Sequence, residues 1–80
     1  MQSAILTLDF HGCTVYQAKI AIAAQLKRAK AGTYRIRLIH GCPGGTALRD
    51  MIRKDYRKHP RVLRLELGSN TETDLVLREF

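Results

Sequence analysis

Arg37-Leu38-Ile39-His40-Gly41-Cys42-Pro43-Gly44-Gly45-Thr46 is the stretch from which the rest of this chain can be read. It opens as the end of a strand and runs into a turn whose glycines and proline suit neither strand nor helix interior. It closes on Thr46, a residue type that caps a following helix. A helix N-terminus presents unpaired N–H groups and a partial positive charge, so an anion can sit there. A histidine beside such a turn can move protons near neutral pH. The stretch therefore predicts a strand-to-helix junction and a site for an anion such as phosphate.

Working outward, Tyr34, Ile36 and Leu38 alternate with Arg35 and Arg37, which predicts a strand over 34–39. Before it, Thr14 and Gln17 form a capping-box pattern that starts a helix. Val15, Ala18, Ile22, Leu26 and Ala29 give that helix one apolar stripe, and Gly32 ends it. Lys19, Lys27, Arg28 and Lys30 lie off the stripe. Ala4 to Phe10 reads as the first strand, with Ala4, Leu6, Leu8 and Phe10 on one face and Ile5, Thr7 and Asp9 on the other.

Downstream, a second helix is expected from Thr46 to Lys58, with Leu48, Met51, Ile52 and Tyr56 facing inward. Asp55 falls close to that stripe and is expected either to pair with a neighbouring Arg or Lys or to bend the helix. His59-Pro60 stops it. A third strand follows over 61–67 with Leu63, Leu65 and Leu67 on one face, then a turn at Gly68-Ser69-Asn70 and a fourth strand over 73–78.

The order is β-α-β-α-β-β in a single domain, residues 1–80. A crossover helix makes the first two strands parallel with a right-handed connection, and the short last turn makes an antiparallel hairpin. Two helices cover one face of a four-stranded mixed sheet, so the fold class is α/β, an α+β two-layer sandwich.

Composition narrows the function. Hydrophobic residues make up 45% and charged residues 26% of the 80 positions, ordinary for a folded domain and too apolar for disorder. No apolar run approaches the roughly 18 residues of a membrane span. Met1-Gln2-Ser3 lacks the basic start of a signal peptide, so a soluble, cytoplasmic monomer is the expectation. The net charge of +7 favours a polyanionic partner, nucleic acid first. Cys13 and Cys42 each follow a His-Gly pair, giving four candidate metal ligands with His11 and His40. Without the tight C-x-x-C spacing of zinc sites, no metal is expected there.

Parallel strands one and two should deliver His11-Gly12-Cys13 and His40-Gly41-Cys42 side by side at the carboxyl edge of the sheet, where open α/β sheets bind ligands. Asp9 alternates onto the same side as His11, and a carboxylate beside an imidazole supports acid–base work. On the open face lie Arg35, Arg37, Arg64 and Arg78, able either to carry a phosphate backbone or to pair across strands with Glu66 and Asp74. Arg49, Arg53 and Arg57 form a stripe on the second helix, with Arg49 near enough to reach an anion held at Thr46.

Leu8-Asp9-Phe10-His11-Gly12 resembles the L-D-x-H-G signature of the small MutS-related (Smr) domain, and His40-Gly41-Cys42-Pro43-Gly44-Gly45 resembles its second signature, H-G-x-G-x-G. The resemblance covers essentially the whole chain. It implies a fold similar to the C-terminal domain of translation initiation factor three, nucleic-acid binding and, as in several family members, endonuclease activity. Asp9 and His11 match the first motif, and His40, Gly41 and Gly45 the second. Pro43 departs from it and removes one N–H from the turn.

The expected catalytic residues are therefore Asp9, His11 and His40. The expected phosphate-binding residues are Gly12, Gly41, Gly44, Gly45, Thr46 and Arg49. Nucleic acid is expected on Arg35, Arg37, Arg53, Arg57, Arg64 and Arg78. With RNA the 2′-hydroxyl can attack and no cofactor is needed; with DNA water attacks and a divalent ion near Asp9 is expected. The competing class is a non-catalytic nucleic-acid- or ribosome-binding module, which Pro43 favours.

Overall fold

Six elements follow one another in the expected order in the computed structural model, which describes residues 5–29, 32–41, 46–69 and 71–78. They are β1 (Ile5–Asp9), α1 (Val15–Arg28), β2 (Arg35–Ile39), α2 (Ala47–Asp55), β3 (Arg64–Glu66) and β4 (Glu72–Val76). The sheet order is β1-β2-β4-β3, with β1 parallel to β2 and both β2–β4 and β4–β3 antiparallel. The crossover through α1 sets the parallel pair, and the short connection after β3 sets the final hairpin.

One face of the sheet carries the core. Leu6, Leu8, Ile36, Leu38, Leu65 and Leu75 share it in register, and Ala18, Ile22 and Leu26 of α1 pack there with Met51, Ile52 and Tyr56 of α2. Both helices therefore lie on the same layer. Burying each large aliphatic side chain contributes about 1.5–3 kcal/mol, and Ile22, Ile36, Leu38, Ile52 and Leu75 are fully buried. Thr14 caps α1 as its sequence predicts: its hydroxyl accepts from the Gln17 amide at 3.1 Å while the Gln17 side chain accepts from the Thr14 amide at 2.9 Å.

Several boundaries differ from expectation. The second helix ends at Asp55 rather than Lys58. Pro60 disfavours helical backbone at His59, and the chain turns instead, with the His59 amide donating to the Tyr56 carbonyl and the Val62 amide to the His59 carbonyl. Pairing with β4 then begins at the Leu63 amide, so β3 is short and Val62, not Leu63, enters the core. Asp55 bends nothing. It lies exposed and pairs with Lys19 of α1 at 3.4 Å, tying the two helices together. No helix among the described residues is long and apolar enough to cross a membrane.

Candidate functional site

The parallel register brings Asp9 opposite Ile39, and the Phe10 amide donates to the Ile39 carbonyl at 2.8 Å. The two His-Gly pairs thus leave the sheet at the same edge. Their glycines share a backbone state, with φ of 82° at Gly12 and 65° at Gly41. That left-handed region is where glycine is at ease and other residues are strained. A Cβ added at Gly12 would meet nothing within 4 Å, so conformation rather than crowding calls for glycine, and the space before it is open.

The histidines do different jobs. His11 is exposed, as is Asp9, but the Asp9 carboxylate accepts from the His11 backbone amide at 2.9 Å rather than from the imidazole. Asp9 therefore fixes the turn that presents His11, and the expected carboxylate–imidazole contact is replaced by this one. His40 is 4% exposed and points into the helix layer beside Thr73. Its Nδ1 lies 3.2 Å from the Gly41 carbonyl and its Nε2 3.0 Å from the Thr73 hydroxyl. A carbonyl can only accept, so Nδ1 carries the proton and Nε2 accepts from Thr73.

Thr73 in turn accepts from Arg53 Nε at 3.0 Å. Arg53 also donates to the Ser69 carbonyl at 2.9 Å. Burial holds the His40 pKa below its ordinary value; the Gly41 carbonyl opposes this, and the charges of Arg53 and Arg49 add to the lowering. His40 is thus a neutral, fully bonded pin. This corrects the expectation that His40 transfers protons, since it has no ring nitrogen left over; Arg53 spends its guanidinium on Thr73 and Ser69 while still lining the outer surface of α2 beside Arg57. Thr73 went unnoticed in the sequence because nothing in its spacing ties it to a histidine 33 positions earlier.

At the start of α2, Thr46 does not cap the helix. Its hydroxyl donates to Asp50 Oδ2 at 2.8 Å, and Arg49 Nε donates to Asp50 Oδ1 at 3.2 Å. The Thr46 hydrogen bond, then that from Arg49, holds the Asp50 carboxyl below its usual range. A carboxylate thus occupies the first turn, where the sequence predicts an incoming anion, and it draws on Thr46 and Arg49, two of the six residues expected to hold that anion. Gly44 and Gly45, with Cys42 and Pro43, lie outside the described residues.

On the open face, Arg35 reaches both Glu66 at 2.7 Å and Asp74 at 2.8 Å, Arg37 forks onto Asp74 at 3.0 Å, and Arg64 reaches Glu66 at 3.0 Å. Cross-strand pairing, the second of the two expected uses, is what these arginines do. Asp74 is buried; desolvation pushes its pKa up, and the hydrogen bonds from Arg37 and Arg35 overcome that and leave it lowered. Val76, opposite Arg35 and Arg64 on the same face, is only 1% exposed. Arg57 and Arg78 are exposed, away from this network. Cys13 is a half-buried free thiol packed against the core.

The Smr domain family model matches residues 8–74, from the first motif through the central strand β4. The chain belongs to the Smr domain family. This Smr domain is also similar to a solved structure, the Smr domain of Thermus thermophilus MutS2, at 32% identity and a TM-score of 0.79, over 92% of this chain and 99% of that one. Comparison with curated proteins gives no match. Smr domains are known generally for nucleic-acid binding and nicking endonuclease activity.

Proposed function

We propose that this Smr domain is a cytoplasmic, monomeric endonuclease that holds RNA or DNA by its phosphates and cuts the phosphodiester at the Gly12–Gly41 edge. The observation that carries this reading is the pair of left-handed glycines in the turns that follow two adjacent parallel strands, open at Gly12, beside the exposed His11. An anion can approach the backbone closely where no side chain intervenes; the Cys13 and Gly41 amides donate to the carbonyls of Phe10 and Thr71. His11 is the general acid–base group, and Asp9 holds its turn.

His40, Thr73 and Arg53 position Gly41 rather than transfer protons. On RNA, His11 takes the proton of the 2′-hydroxyl, whose oxygen attacks the adjacent phosphorus. The bond from phosphorus to the 5′-oxygen breaks, leaving a 2′,3′-cyclic phosphate, and the 5′-oxygen takes a proton from water while His11 later returns its own to solvent. On DNA, water is the nucleophile; among the described residues no cluster of three or more His, Cys, Asp or Glu gathers here, so a divalent ion would rest on Asp9 and on water or phosphate oxygens, and would supply a more acidic attacking water.

End-labelled RNA and DNA oligonucleotides, incubated with magnesium or with EDTA, test this. His11→Ala should abolish cleavage in a folded protein, and His40→Gln should weaken it through loss of the turn. Cutting by His11→Ala at the wild-type rate would refute the assignment. The second reading, a binding module working alone or on the ribosome, draws support from the full hydrogen bonding of His40 and the carboxylate at the start of α2. It predicts salt-sensitive binding with no cleavage of either strand type.

A further inference from the structure

If the arginines of the open face are neutralised, the charge of +7 must act elsewhere. Three shallow clefts meet around Arg61 and Leu63. One runs between the last turns of α1 and the loop before β3, past Lys27, His59 and Arg61. The next continues along Pro60, Arg61, Leu63 and Arg78. The third carries Leu63 on toward Leu67 with Arg57 at its side.

Among the described residues, no Asp or Glu lines any of the three, and no carboxylate pairs with Lys27, Arg57 or Arg78. The Arg61 guanidinium donates to the Leu26 carbonyl, which joins the loop to the end of α1 and makes the band one continuous surface. It lies at the end of the sheet opposite His11: Leu77 and Arg78 donate to the carbonyl of Tyr34, just before β2 begins, whereas His40 follows its end.

The band is apolar as well as basic. Leu63 is 59% exposed and Leu67 53% exposed, between the cations. A duplex hides the faces of its bases and offers only phosphates and groove edges. A single strand offers phosphates and apolar base faces together.

We propose that the band formed by Lys27, Arg57, Arg61 and Arg78 around Leu63 is a second contact surface for single-stranded nucleic acid, remote from the His11 edge. The cations take phosphates, and Leu63 takes a base face. This rests on the reading that the domain binds nucleic acid, and it gives that reading a strand type and a path. A strand engaged here and cut at His11 spans the length of the domain, so short oligonucleotides lose one of the two contacts.

The test is fluorescence anisotropy with a labelled single strand and with its duplex, titrated from about 50 to 200 mM salt. Wild type should favour the single strand. The triple variant Lys27→Gln/Arg57→Gln/Arg78→Gln, whose sites are exposed, should flatten the salt slope by about two units, from roughly 0.7 per lost single-strand contact. Leu63→Ser should weaken single-strand binding with the slope unchanged. An unchanged slope in the triple variant, or binding to the duplex alone, would overturn the band while leaving nucleic-acid binding standing. Salt-insensitive binding or none in wild type would remove both readings.

Discussion

Thr73 decides what His40 can do. Its hydroxyl bridges a buried imidazole nitrogen and the Arg53 guanidinium, donating to one and accepting from the other. Thr73→Val keeps the shape and strands both partners, so it should cost about 1–3 kcal/mol in urea unfolding. Thr73→Ser, which keeps the hydroxyl, should recover most of that.

The His40 pKa gives the pH dependence its sign. The folded value lies below the ordinary 6.5, so between the two values the unfolded chain binds a proton that the folded one refuses. Stability should be complete above about pH 6.5 and fall as the pH drops from there toward the folded value. His40→Gln should erase that part of the slope. Asp74, lowered from 3.8, adds a separate loss at more acid pH, below that value.

At the scale of the element, two threonines sit before two helices and behave differently. Thr14 completes both halves of its capping box, whereas Thr46 gives its hydroxyl to Asp50. Thr14→Ala should therefore lower stability by about 1 kcal/mol, and Thr46→Ala by clearly less, when their thermal midpoints are compared. The local pattern T-x-x-Q named the first cap correctly because both partners lie within one turn. The pattern at Thr46 does not show that Asp50, four residues on, takes the same hydroxyl.

The same contrast runs through the whole reading. Strand alternation, the apolar stripes and the two His-Gly turns are set by neighbours in sequence and were legible there. The direction of the His40 ring, the bond from Arg53 to Thr73 and the order of the strands depend on β4, which pairs with residues some 40 positions away. The stop of α2 at Asp55 depends on the turn that follows it, where the His59 amide donates to the Tyr56 carbonyl and the Val62 amide to the His59 carbonyl so that Val62 reaches the core.

At the scale of the molecule, charge is sorted by surface. The open face neutralises itself through Asp74 and Glu66, while Lys27, Arg57 and Arg78 lie in the clefts around Arg61 and Leu63, and Lys54 and Lys58 on the outer surface of α2. Asp74→Asn should lower stability by about 2 kcal/mol, since it weakens charge-assisted bonds to two arginines. The same change should steepen the salt dependence of nucleic-acid binding, because Arg35 and Arg37 become available to phosphates. A stability loss without steepening would mean that the open face contacts no phosphate even when released.

One of the two central strands of the sheet, β4, comes after the other three in chain order. Until Glu72–Val76 emerges, β2 has one open side, β3 has no partner, His40 lacks Thr73, and Arg35 and Arg37 lack Asp74. Everything before it can collapse around the helices but cannot close the sheet. A growing chain therefore carries unpaired arginines beside the nucleic acid of the machine that makes it, and the arrival of one strand both finishes the fold and withdraws that charge.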